Sequence, residues 1–198
     1  MVARIALIFI ALIPFTQVQS QDFVQKSRIN AHGTIAPGFS LYDMKGTVSL
    51  QGQMEYFIHE KVSIRGDVFW FVDYLNSDDP GFLDDKAALF SGITYHFAEN
   101  KHLNPYVALQ PGIGMARTIF YSTTGNVSFA VMDNSYHFFP MASVALGTYY
   151  YANNWFYFFG EVRGSTGKYF SPFDVKEAGE LQFSFGLGFS LLTKKNKD

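Results

Sequence analysis

The strongest constraint on the fold is an alternation of apolar and polar residues with a period of two. In residues 181–191, large apolar side chains alternate with small or polar ones, so the two sets point to opposite faces of an extended strand. The apolar set is Leu181, Phe183, Phe185, Leu187, Phe189 and Leu191. Segments 46–58 and 62–74 alternate similarly, and helical spacing fits neither of them. The chain is therefore predicted to be all-β.

Applied along the chain, the same pattern predicts eight strands joined by unequal connections. The predicted strands are residues 29–41, 46–58, 62–75, 87–98, 105–118, 138–151, 155–164 and 180–192. The predicted connections are short at 42–45, 59–61, 99–104 and 152–154, and long at 76–86, 119–137 and 165–179. An even number of strands with short turns at one end and mostly long loops at the other is expected of a closed antiparallel up-and-down barrel.

The first twenty residues are predicted to be a cleavable signal peptide. Arg4 precedes an apolar run from Ile5 to Phe15, and polar residues follow before Gln21. This run is shorter than the roughly 20 residues that a membrane-spanning helix needs. The alternative is a buried N-terminal strand or helix. We expect a signal peptide at 1–20 and one barrel domain at 21–198.

Charge and cysteine content exclude several classes of function. The formal net charge is -2 and offers no basic surface, so nucleic-acid binding is excluded. The chain has no cysteine, which excludes disulfides, thiolate metal sites and a lipoprotein anchor. Aromatic residues make up 18% of the chain, more than an ordinary soluble domain needs.

The composition of the two faces predicts which one lies inside. The more polar faces contain small residues and few lysines, as in Gly112, Gly114 and Ala116, and such residues suit a crowded interior. The apolar faces are expected to contact lipid, with aromatic residues near both ends of the strands. Predicted lipid-facing residues are Val68, Trp70, Phe183, Phe185, Leu187 and Phe189. Two belts of aromatic residues are predicted around the barrel. One lies near the short turns and consists of Tyr56, Phe97, Tyr106, Tyr150 and Phe156, and the other lies near the long loops and consists of Trp70, Tyr74 and Phe138. A soluble barrel with an aromatic core is the alternative.

Strand register predicts a cluster of charges inside the barrel. A three-residue turn at 59–61 places Glu55 opposite Arg65 and Gln53 opposite Asp67, so an ion pair is predicted between Glu55 and Arg65. A four-residue connection at 42–45 places His32 beside Glu55. The predicted cluster is His32, Glu55, Arg65, Asp67, Glu161 and Arg163. Its simplest role is a structural plug; a gated ion path or a pH-sensitive switch through His32 is the alternative.

In its alternating segments, its unequal connections and its terminal strand at 181–191, the chain resembles the small eight-stranded outer-membrane β-barrels of Gram-negative bacteria, of the OmpA/OmpX type. The basic tail ending in Asp198 departs from their usual aromatic terminus. The resemblance implies the outer membrane as location. The implied partners are outer-membrane lipids, lipopolysaccharide and the barrel-assembly machinery, and the implied state is a monomer.

The function expected from these features is structural, adhesive or protective of the envelope, acting through the long loops and without catalysis or a cofactor. A lipid A deacylase or acyltransferase is one alternative, for which Asp133, Ser135 and His137 have matching spacing. A secreted soluble ligand binder is another. Five aspartates between Asp73 and Asp85 could supply calcium ligands, but their spacing is not that of a calcium loop, and hydration of the loop is the simpler explanation.

Overall fold

The computed structural model describes residues 26–42, 44–75, 83–97, 102–124, 127–132, 136–170 and 175–193. The predicted signal peptide lies outside them. These ranges contain ten strands: β1 (Arg28–Ser40), β2 (Gly46–His59), β3 (Val62–Leu75), β4 (Leu83–His96), β5 (Leu103–Thr124), β6 (Val127–Met132), β7 (His137–Tyr151), β8 (Phe156–Phe170), β9 (Val175–Glu177) and β10 (Glu180–Leu192). No helix in this part of the chain is long and apolar enough to cross a membrane.

Eight of these strands close into an antiparallel barrel, as predicted. Their order around the barrel is β1, β2, β3, β4, β5, β7, β8 and β10, and β10 pairs with both β8 and β1. Each strand therefore has two neighbours, and the barrel wall has no open edge. The predicted all-β up-and-down barrel is confirmed.

Two short strands, β6 and β9, extend this barrel beyond its wall and were not predicted. β5 continues past Thr118 to Thr124, and its last six residues pair with β6. β8 continues to Phe170 and pairs with β9. The predicted loops at 119–137 and 165–179 are therefore partly strands. Both segments contain β-branched and aromatic residues, which continue to favour extended structure after the alternation ends.

The register between β2 and β3 is the predicted one, whereas that between β1 and β2 differs by two positions. Glu55 lies opposite Arg65 although the turn contains only two residues, because a bulge near Ile58 supplies the extra one. In the other hairpin, β1 ends before Leu41 and Phe39 pairs with Gly46. The prediction that His32 lies beside Glu55 is therefore wrong.

In that hairpin, His32 lies opposite Gln53, and Asn30 lies opposite Glu55. The turn is wider than predicted because Ser40 N–H donates to Lys45 O, and because Met44 adopts a left-handed backbone conformation with φ 53°. A shift of two positions keeps the same side chains inside the barrel, since the side-chain period of a strand is also two.

The outer wall of the barrel is apolar and exposed. Phe185 is 71% exposed and Trp70 is 51% exposed, and the other four residues predicted to face lipid also lie exposed on this wall. The inward positions of the same strands hold Gln, Ser, Glu and Arg side chains that are buried. A soluble barrel has the reverse arrangement. An apolar outer wall around a polar interior is typical of a transmembrane β-barrel.

Two of the predicted aromatic positions near the rims do not fit the outer wall. After a register shift in β3, Tyr74 pairs with the buried Thr47 and therefore shares its inward side, so its assignment to the outer ring is wrong. Tyr106 is the second. It is 2% exposed and lies inside the barrel, so its assignment to the outer ring of aromatic residues is wrong. Its strand position has the same parity as Gly112, which is also directed inward. Tyr56, Phe97, Tyr150 and Phe156 are exposed on the outer wall near the short turns.

Two glycines test the packing of the interior. A Cβ atom on Gly188 would lie 2.2 Å from Tyr157 Cζ, whereas a Cβ atom on Gly160 would meet nothing within 4 Å. Gly188→Ala is therefore expected to destabilise the barrel by about 1–3 kcal/mol through overpacking. Gly160→Ala is the matched control and is expected to leave stability unchanged. Urea unfolding in detergent micelles measures both, and equal stabilities would contradict the packing of Tyr157 against Gly188.

Candidate functional site

Four charged side chains from two strands meet at the centre of the barrel. Arg65 and Asp67 lie on β3, and Glu161 and Arg163 lie on β8. Each pair is separated by one residue, so both of its side chains point inward. β3 and β8 are four strand positions apart in either direction around the barrel and thus face each other across the lumen. We call these four residues the charge quartet.

Within the charge quartet, each cation contacts both anions. Across the lumen, Arg65 Nη2 lies 2.6 Å from Glu161 Oε2, and Arg163 Nη2 lies 3.1 Å from Asp67 Oδ2. Along the strands, Arg65 Nε lies 2.8 Å from Asp67 Oδ2, and Arg163 Nη2 lies 3.1 Å from Glu161 Oε1. All four side chains are nearly inaccessible to solvent. The formal charges of the quartet cancel, which makes its burial tolerable.

Neutral groups satisfy much of the remaining hydrogen-bonding capacity of the quartet. Tyr106 Oη donates to Glu161 Oε2 at 2.6 Å, and Gln110 Nε2 donates to Asp67 Oδ2 at 2.7 Å. Arg163 Nη1 donates to Gln110 Oε1 at 2.7 Å and to Ser143 Oγ at 3.0 Å. Buried charges are stable when such bonds complete their shells. The network joins β3, β5, β7 and β8.

Glu55 does not form the predicted ion pair with Arg65. Its Oε1 atom accepts a hydrogen bond from Ser63 Oγ at 2.5 Å and lies 3.3 Å from His96 Nε2. The register is the expected one, but the Arg65 guanidinium reaches across the lumen to Glu161 instead. Adjacent Cβ atoms do not determine where a long side chain ends, and the prediction of a direct pair is therefore wrong.

His32 lies apart from the quartet among aromatic rings. Its Nδ1 atom is 3.0 Å from Tyr157 Oη, and its ring stacks on Phe159 with a centroid distance of 3.6 Å. Of the six predicted cluster residues, four form the quartet, Glu55 joins His96, and His32 joins the aromatic layer. His96, an inward residue by its strand parity, was not assigned to the cluster from the sequence.

Layers of packed side chains lie on both sides of the quartet. Toward the short turns lies a cluster of Tyr106, Tyr149, Tyr151, Tyr157 and Phe159. Toward the long loops lies an apolar layer that includes Phe69, Phe90, Phe139 and Met141. Beyond it, Lys86 on β4 forms an ion pair with Glu180 on β10, and these strands also face each other across the lumen. A cavity beside this pair has a volume of about 10 Å³, enough for one water molecule.

Only some of the residues considered for catalysis and calcium binding belong to the described part of the chain. Asp133, Ser135, Asp78 and Asp79 fall outside the described residues. His137 begins β7, and Asp85 accepts a hydrogen bond from Tyr136 Oη at 2.6 Å. Among the residues that the structure describes, no group of three His, Asp or Glu side chains is arranged to hold a metal ion.

Comparison with known proteins identifies the fold. No protein-family model and no curated protein matches the sequence. Among solved structures, Neisserial surface protein A is 15% identical, with a TM-score of 0.60 over 82% of this chain and 95% of that chain. Pseudomonas aeruginosa OprG is 12% identical, with a TM-score of 0.56 over 84% of this chain and 97% of that chain. The N-terminal β-barrel domain of Pseudomonas aeruginosa OprF is 16% identical, with a TM-score of 0.53 over 84% of this chain and 98% of that chain. The chain has the fold of small outer-membrane β-barrels.

Proposed function

We propose that this chain is an integral outer-membrane protein with a closed interior. Its outer surface anchors the protein in the envelope, mediates adhesion or maintains the integrity of the envelope. The observation that carries this proposal is the neutral charge quartet, which fills the lumen between an aromatic and an apolar layer. Such a filled interior is expected to leave no open aqueous path for solutes. Any function therefore resides in the wall and the loop end.

Two observations support the outer membrane as location. The exposed wall is apolar, and the solved structures that share the fold include outer-membrane proteins of a Gram-negative bacterium. In this location, outer-membrane lipids and lipopolysaccharide surround the wall, and the barrel-assembly machinery inserts the chain. The sheet is closed without a second copy, which supports the expected monomer within the plane of the membrane.

A diffusion pore is the function that the interior argues against most directly. Aqueous channels are found in barrels of about 16 strands, whereas eight strands leave an interior that side chains fill. We expect purified barrel in a planar lipid bilayer to produce no steady conductance steps, while a sixteen-stranded porin in the same bilayer does. Reproducible steps at the same protein concentration would contradict the closed interior.

Fractionation tests the membrane location and separates the remaining alternatives. We expect the protein to stay in the outer-membrane fraction after a high-salt wash and to migrate differently in gels before and after heating, as folded barrels do. Release without detergent would favour a soluble ligand binder. Mass spectrometry of lipid A after incubation with the purified barrel is expected to show unchanged acyl chains, and a changed acyl number would favour a lipid-modifying enzyme.

A further inference from the structure

The end of β5 and the whole of β6 form a hairpin that projects beyond the closed wall. β4 pairs with β5 as far as Thr118, and β7 pairs with β5 as far as Ala116. The six pairs from Ile119 and Met132 to Thr124 and Val127 join only β5 and β6. At about 3.3 Å per residue, the hairpin extends about 20 Å past the wall.

Among the described residues, β6 has one backbone edge that no strand covers. Its recorded partner is β5 on one side, and no other described strand pairs with it. Backbone N–H and C=O groups along such an edge can accept a further strand. A two-stranded ribbon is also only marginally stable by itself, so an added strand would stabilise it.

The sequence of this hairpin lacks the features that protect edges. From Ile119 to Met132 the chain contains no charged residue and no proline. Natural edge strands usually carry lysine, proline or a bulge that prevents pairing with another molecule. The other projecting hairpin follows that rule, because Lys168 on β8 pairs with Glu177 on β9, and Lys176 is next to it. The unprotected edge is therefore specific to β6.

We infer that β6 is a self-association edge, which pairs antiparallel with β6 of a second copy. Two identical uncharged strands meet without repulsion, and the strand of the second copy supplies the extended, uncharged segment that the edge accepts. An antiparallel pair of identical strands has its two-fold axis perpendicular to them, so the two hairpins point toward each other. This inference rests on the proposed outer-membrane function. It explains how the protein would act in adhesion.

The symmetry determines where the two copies lie. Barrels inserted in one membrane all point their loop ends in the same direction, so their β6 strands run parallel. Antiparallel pairing requires barrels in two facing membranes. One six-residue strand pair is a small contact, but many copies between two membranes bind with the strength of a multivalent interaction. The expected result is adhesion between membranes that carry this protein.

Vesicle aggregation tests this inference. Purified barrel is reconstituted into phosphatidylcholine vesicles, and light scattering is measured over time. We expect wild-type vesicles to aggregate and vesicles with Phe129→Lys and Val131→Lys to scatter no more than protein-free vesicles, because opposing lysines repel. The matched control places two lysines at another outer turn, as Leu41→Lys and Met44→Lys, where both side chains are exposed. This control is expected to aggregate like the wild type.

A second measurement keeps the test valid if the lysine variant folds poorly. The chain has no cysteine, so Ala130→Cys introduces a single thiol near the centre of β6. After addition of copper phenanthroline as the oxidant, we expect disulfide-linked dimers to form in aggregated vesicles and not in dispersed ones. Wild-type vesicles that stay dispersed, equal aggregation of both lysine variants, or crosslinks confined to single vesicles would overturn the inference. None of these outcomes affects the fractionation or conductance results on which the proposed function depends.

Discussion

Replacing Arg65 with methionine is expected to lower the free energy of unfolding by about 3–5 kcal/mol, because it leaves the buried Glu161 and Asp67 carboxylates with one cation between them. Methionine keeps most of the side-chain volume, so the effect measures the lost charge more than a cavity. Urea unfolding in detergent micelles and the temperature of the gel shift report the loss. Glu60→Gln is the control, since this exposed turn residue is expected to change stability by less than about 0.5 kcal/mol.

The double variant Arg65→Met with Glu161→Gln separates pairing from packing. It removes one cation and one anion, and Asp67 and Arg163 keep each other as partners. The loss in the double variant is therefore expected to be smaller than the sum of the two single losses, with a coupling of about 0.5–3 kcal/mol. Additive losses, or an Arg65→Met variant as stable as the Glu60→Gln control, would show that the ion pair across the lumen does not stabilise the barrel.

Phe185→Arg on the outer wall is expected to destabilise the barrel in lipid vesicles by about 2–4 kcal/mol. Phe185 lies exposed near the middle of β10, where we expect the wall to face hydrocarbon. Leu192→Arg at the end of the same strand is the matched control and is expected to cost about 0–1 kcal/mol. Urea titration of vesicle-inserted protein measures both values. A soluble barrel would tolerate arginine equally at both positions, so equal stabilities would show that the wall does not face lipid.

The alternation of side chains was sufficient to predict the barrel itself. It identified eight strands, and it separated the outer wall from the interior because one face of each strand is consistently larger and more apolar. Tyr106 was assigned to the outer wall because it is aromatic. It is separated from Gln110 and Gly112 by an even number of positions, and these two residues point inward. Strand parity was the better guide at that residue. β6 and β9 were missed because the amino-acid composition of the strand faces does not change at the point where the barrel wall ends.

The interior contacts could be predicted only in part, because they depend on closure of the barrel. Register between neighbouring strands placed Glu55 opposite Arg65, and this register is present. Arg65 nevertheless binds Glu161, which lies 96 positions later in the sequence, on a strand that is not its neighbour. The sequence contains inward arginines and carboxylates on β3 and β8, but local pairing carries no information about opposite sides of a lumen.

The position of the quartet also affects how the protein can assemble. Arg65 and Glu161 lie on opposite sides of the barrel, so a curved but open sheet holds them apart. An open sheet keeps the pairs along each strand, Arg65 with Asp67 and Arg163 with Glu161, but it lacks the contacts across the lumen and exposes both pairs to hydrocarbon, which is costly. Formation of the β1 and β10 seam and formation of the two ion pairs across the lumen are therefore expected to occur together. The ion pairs across the lumen thus favour the closed barrel over half-closed intermediates inside the membrane.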